Sequence, residues 1–137
     1  MSFITYLNNS RYIIRSIAKP NLVWSASRGS ISLKPFDVTD KYQEWELIHG
    51  GLGFKNVAEG KAIKYVDNDN SIVLEEPDSF SSRQRFAFEQ GANTSIKSQY
   101  KENDYLLTKN HYGDELVYAN TDNAERWKVI RKENSAQ

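Results

Sequence analysis

Cysteine is missing altogether from the 137 residues, which rules out a disulfide framework and a thiolate metal site. Histidine occurs twice, at His49 and His111, and neither has a cysteine or a serine-nucleophile motif beside it. Hydrolytic triads and imidazole-rich metal centres therefore lack their parts, and no metal is expected. With seven glycines and three prolines the chain is neither collagenous nor low in complexity. No apolar stretch approaches the roughly 20 residues that span a bilayer, and residues 1–9 carry neither a basic start nor a sustained apolar core. Neither membrane insertion nor a secretory signal is expected, and the compartment stays open. An excess of one charge is lacking too: 18 basic residues balance 18 acidic ones, which argues against a nucleic-acid partner held by bulk field. No glycine-rich phosphate cradle exists, so no nucleotide cofactor is expected. Nor does any segment place apolar residues at i, i+3, i+4, i+7 over three turns, which excludes a helical solenoid.

What the chain does have is a repeat. Gln43-Glu44-Trp45 is followed 41 positions later by Gln84-Arg85-Phe86, and after another 41 by Glu125-Arg126-Trp127. Each copy is a long polar side chain, a spacer, a large aromatic and a short apolar run. Periods of about 20 to 50 residues mark repeat architectures. The length fits one domain, 1–137, able to bury roughly 68% of its unfolded surface, with repeats at about 11–50, 51–91 and 92–131.

Within each repeat, four runs read as strands. The first unit has Tyr12 to Ile17, Leu22 to Ser25, Ser30 to Leu33 and the Trp45 run, punctuated by Lys19-Pro20-Asn21 and Arg28-Gly29. The second has Phe54 to Val57, Ala62 to Val66, Ser71 to Leu74 and Phe86 to Phe88, and the pairs Leu22/Ile63, Ile31/Ile72 and Leu33/Leu74 are each 41 apart. The third has Ser95 to Ser98, Tyr105 to Leu107, Leu116 to Tyr118 and Trp127 to Ile130, with a longer hairpin over residues 109–115 and a shorter final link over 119–126. Twelve short strands in three fourfold units are too few for a propeller, which needs about four to eight blades. The arrangement that removes most sheet edges is an all-β β-trefoil with pseudo-threefold symmetry. Trp45, Phe86 and Trp127 are then expected around the axis, with Ile48, Phe88 and Ile130 nearby, and the preceding Gln43, Gln84 and Glu125 are expected to satisfy loop backbone groups.

The Gln-x-Trp element at Gln43 to Trp45, with its two degenerate copies, resembles the signature of ricin B-type lectins. Residues 9–17 and 53–59 are similar to stretches of the small trefoil haemagglutinin subunits of clostridial neurotoxin complexes. The resemblance implies a carbohydrate-binding, haemagglutinin-type domain within a toxin or adhesion assembly, or a linker between larger components. It also implies a sugar site made of an acidic residue on the second strand, a platform aromatic, and an amide ahead of the motif. This chain departs from that pattern. It has Val23, Lys64 and about Leu107 at the first place, Lys34, Glu75 and about Ala119 at the second, and Tyr42, Arg83 and Ala124 at the third.

A sugar needs an aromatic face for its C–H side and fixed donors and acceptors for its hydroxyls. The third hairpin supplies Asn110, His111, Tyr112, Asp114 and Glu115, with Tyr118 and Asn120 beyond; the second supplies Tyr65, Asp67, Asn68, Asp69 and Asn70; the first supplies Trp24, Ser25 and Arg28. The residues themselves leave three functions open. One is a non-catalytic lectin whose partner is a glycan. Another is a protein-binding adaptor. The third is a protease inhibitor using residues 76–83, with Arg83 as specificity residue. Turn chemistry alone also accounts for Asn, Asp and Gly at these places.

Overall fold

The computed structural model describes residues 10–67, 70–109 and 115–132. Among them are thirteen strands, all paired antiparallel. The first unit contributes β1 (Tyr12–Ser16), β2 (Leu22–Ser27), β3 (Ser30–Pro35) and β4 (Trp45–Ile48); the second β5 (Gly53–Asn56), β6 (Ala62–Val66), β7 (Ser71–Glu75) and β8 (Phe86–Ala87). The third contributes β9 (Asn93–Thr94), β10 (Lys97–Ser98), β11 (Asp104–Thr108), β12 (Leu116–Asn120) and β13 (Trp127–Arg131). The expected count of twelve is exceeded because the opening strand of the third unit is split. Its first half pairs with β13 and its second with β8 and β11, so Ser95 and Ile96 lie in neither ladder.

Two rings of contacts close the molecule. In the lower ring, the strand carrying each motif aromatic pairs with the opening strand of another unit: Trp45 opposite Asn56, Phe86 opposite Ser98, Trp127 opposite Ser16. The last pair joins the two ends of the described chain through five registered residues, Tyr12 to Ser16 against Arg131 to Trp127. In the upper ring the three hairpins β2–β3, β6–β7 and β11–β12 lean on each other in turn, Ser30 on Val73, Ser71 on Val117 and Glu115 on Ser32. Each contact relates one unit to the next, and the third returns to the first.

Strand alternation fills the interior. Trp45, Phe86 and Trp127 are fully buried, as are Ile14 of β1, Phe54 of β5 and Ile96 between β9 and β10. The residues that share a face with the motif aromatics are two positions on, Leu47, Phe88 and Val129. Ile48 and Ile130 fall on the opposite face of a period-two strand, which corrects the expectation for them. Trp45 Nε1 donates to Trp24 O at 3.2 Å and Trp127 Nε1 to Leu106 O at 3.1 Å. Phe86 keeps the ring and has no N–H to give.

The period of 41 holds at the motif and drifts elsewhere. The buried set Ile14, Phe54, Ile96 steps by 40 and then 42 residues. Trp24 lies opposite Leu33, Ile63 opposite Leu74 and Leu106 opposite Tyr118, so the counterpart of Ile63 is Trp24 and not Leu22. A two-residue hairpin turn in the first unit and a longer one in the second restore the count by β7. Turns absorb length changes because they bury little backbone.

The polar residues of the motif tie down the links. Gln43 accepts from Asp37 N at 2.8 Å and donates to Pro35 O at 2.9 Å; Gln84 accepts from Asp78 N and donates to Glu76 O, both at 2.9 Å. Glu125 has no amide to donate and instead accepts from the Thr108 N–H at 2.7 Å and hydroxyl at 2.9 Å. Gln43→Ala strands two loop groups beside a buried site, and a loss of about 1–3 kcal/mol is expected. Urea unfolding of the variant measures it, and an unchanged midpoint would show that the links hold themselves.

Candidate functional site

Several residues expected to meet a ligand are instead committed to the protein. Trp24 is completely buried, with its ring edge-on to Trp45, Phe54 and Trp127 at centroid distances of 6.1, 5.5 and 5.4 Å. It has no face to offer a sugar, and the sequence expectation for it is corrected: in a strand that faces the axis, the largest ring is drawn inside. Tyr65 and Tyr118 stack on each other with centroids 3.8 Å apart. Their hydroxyls donate to Asp104 Oδ2 and to Val66 O, each at 2.5 Å. Burial, then the bond to Asp104, pushes the Tyr65 hydroxyl well above the usual phenol range. These two rings bind the second hairpin to the third and are likewise corrected as platforms.

Asp67 is held by Arg83, whose Nε and one terminal nitrogen donate to Asp67 Oδ2 at 2.9 and 2.7 Å. The guanidinium also lies 4.3 Å from the Tyr100 ring centroid and donates to the Tyr100 hydroxyl at 2.9 Å. Arg83 is therefore engaged at its own link and does not project as a specificity residue. The hydrogen bond from Arg83 holds the Asp67 carboxyl below its usual range. Asn68, Asp69, Asn110, His111, Tyr112 and Asp114 lie outside the described residues. Asn70 is described, in the left-handed region that a turn of this kind asks of an asparagine.

Asn120 does reach a concavity. At the open end of the β11–β12 hairpin, opposite its tip, is a polar cleft of about 630 Å³. Asn103 and Tyr105 line one side, Asn120, Thr121, Asp122 and Asn123 another, with Ser95, Ala124 and Arg126 completing it. Alternation explains the aromatic. Leu106 faces the core, so Tyr105 faces out, half-buried, and its partner across the ladder is the small Ala119. The same place in the other two units holds Val23 opposite Lys34 and Ala62 opposite Glu75. In the second unit, Lys64 closes over Glu75 with two 3.1 Å bonds. Tyr105, not Leu107, is thus the third-unit counterpart of Val23, and Ala62, not Lys64, is the second.

Tyr105, Asn103, residues 121–123 and Arg126 were not among the sequence candidates. From the sequence, this link stands out only as shorter than the other two. Its signal was four successive hydrogen-bonding side chains, Asn120 to Asn123, next to an outward aromatic.

The Asp67 carboxyl, lowered from an ordinary value of 3.8, contributes stability above that value and loses it as pH falls through the lower folded-state value. Asp67→Asn is expected to melt below the native protein at pH 7, with the gap narrowing as pH drops below 3.8. Thermal melts across that range test this, and a gap independent of pH would reject the linkage.

Neither a family model nor a curated protein matches the chain. Solved structures do. An endo-β-galactosidase from Clostridium perfringens, which releases GlcNAcα1-4Gal, superposes with a TM-score of 0.78 at 17% identity, over 91% of this chain and 33% of that one. This chain therefore spans about a third of that enzyme's length. The designed threefold-symmetric protein ThreeFoil gives 0.74 at 11% identity over 88% of this chain and 97% of its own. The β-trefoil lectin of the Vibrio vulnificus haemolysin/cytolysin, with N-acetyl-D-lactosamine bound, gives 0.69 at 17% identity over 93% and 98%. Together with the two cyclic sets of strand contacts, these likenesses establish the fold: the chain is a β-trefoil.

Proposed function

We propose that this β-trefoil is a non-catalytic, ricin B-type lectin domain of three repeats of about 41 residues, binding carbohydrate in the third-unit cleft as part of a toxin or adhesion assembly. The observation that carries the reading is the outward Tyr105 beside a wall of amides and a hydroxyl, the combination a pyranose requires. The resemblance of the Gln-x-Trp element supports it, as does the sugar held by the haemolysin lectin at a shared fold. The cleft lining has one carboxylate, Asp122, whereas glycoside hydrolysis in most families uses two, about 5 to 9.5 Å apart.

A second reading has its own observation. Phe80 is 95% exposed at the tip of the second link. The turn beneath it is fixed by Phe80 N donating to Asp78 Oδ1 at 3.0 Å and by Arg85, which donates to Ser79 O and Ser81 O. A solvated aromatic ring on a backbone turn held in place is the form of an anchor for a protein partner, and it favours the adaptor over the inhibitor, whose expected specificity residue Arg83 is engaged.

Glycan-array screening followed by titration of the best binder separates the two. Tyr105→Ala is expected to weaken glycan binding about tenfold or more, since a stacked ring contributes roughly 0.5–1.5 kcal/mol beyond its burial. Phe80→Ala is expected to leave it unchanged. An array without a binder at millimolar sensitivity, or undiminished binding by Tyr105→Ala, would overturn the lectin reading.

A further inference from the structure

The spacer of the Gln-x-aromatic element is Glu44, Arg85 and Arg126 in the three units, and each meets a different fate. Glu44 is buried and takes Lys132 and Lys41 as ion partners. Arg85 spends its guanidinium on Ser79 O and Ser81 O of the link it stands beside. The third link is too short to offer Arg126 the same carbonyls. Its guanidinium makes one long bond, from a terminal nitrogen to Asn93 O at 3.3 Å, and no acid lies within ion-pair distance among the described residues. Asp122 shares the cleft without pairing to it.

We infer that the cleft selects a saccharide carrying an oxyanion, a carboxylate or a sulfate, which Arg126 grips. This rests on the lectin reading and adds the class of sugar. A guanidinium is a planar fork of five donors that fits a carboxylate in two parallel bonds and is always charged. The bond to Asn93 O holds one terminal nitrogen at the β9 end of the cleft and leaves the other donors to a ligand. Tyr105 then takes the apolar face of the ring, the amides of Asn103, Asn120 and Asn123 take neutral hydroxyl or acetamido groups, and Asp122 accepts from hydroxyls away from the anion. Two neighbouring units cannot do this: Glu44 has the wrong sign, and Arg85 is occupied.

The test is calorimetric titration with matched sugars: sialyl-N-acetyllactosamine and methyl galacturonide for the carboxylate, methyl galactoside 6-sulfate for the sulfate, and N-acetyllactosamine and methyl galactoside as their neutral counterparts. At least one acidic sugar is expected to bind about tenfold more tightly than its neutral counterpart at about 20 mM salt, with the preference eroding at about 0.5 M as the charge is screened. The carboxylate and sulfate arms decide which oxyanion fits. Arg126→Gln, checked by melting to be folded, is expected to bring the acidic-to-neutral ratio close to one, and Arg126→Lys to restore part of it. Neutral sugars bound as tightly as acidic ones, with a ratio indifferent to Arg126→Gln, would overturn the inference while leaving the lectin reading in place. No binding of any sugar would remove both.

Discussion

Four large rings meeting in the core are the constraint on which the rest of this molecule is built. Trp24, Trp45, Phe54 and Trp127 are fully buried, and Trp24 touches the other three edge to face. Edge-on packing lets the positive rim of one ring meet the negative face of another. It also fixes strand register, because a slip of one residue would move each ring to the opposite face of its strand and out of these ring contacts. Two of the indoles reach carbonyls of β2 and β11, strands with which their own strands do not pair, so the apolar centre ties together separate ladders. Three copies of a motif that each send a ring inward leave the outer surfaces free to diverge.

Divergence is concentrated in the links and in the outward position next to each inward one. The first unit fills its link with a clasp in which Lys132 reaches Val38 O and the buried Glu44. The second uses Arg83 against Asp67 and Tyr100. The third, shorter, has Glu125 turned back to Thr108 and borders the polar cleft. The links thus differ in length and ties while the core beneath them keeps its rings.

Much of the architecture was legible in the sequence because alternation and the aromatic repeat both report burial. The Gln-x-aromatic spacing gave the three units, and the role of Gln43 and Gln84 in tying loop backbone followed from their being long, polar and next to a core residue. What was not legible was register where turns differ in length: Leu22 was matched to Ile63 by counting, while hydrogen bonding matches Trp24. The same two-residue error hid Tyr105 behind Leu107. Trp24 looked like a platform because a tryptophan beside turn residues satisfies both readings, and only the direction of its strand face decides between them. Tyr65 and Tyr118 are misleading for a related reason, since their polar hydroxyls are satisfied within the protein.

The closing ladder between β1 and β13 pairs Tyr12 with Arg131, residues separated by most of the sequence. Such a contact carries a large loop-closure entropy, which ordered intermediate segments must reduce before it can form. Topologies dominated by distant pairings assemble in about milliseconds to seconds. On a ribosome, the barrel must therefore wait for β13 to emerge, and until then β1 has its short pairings with β2 and β4 but lacks the five-residue ladder that closes the ring.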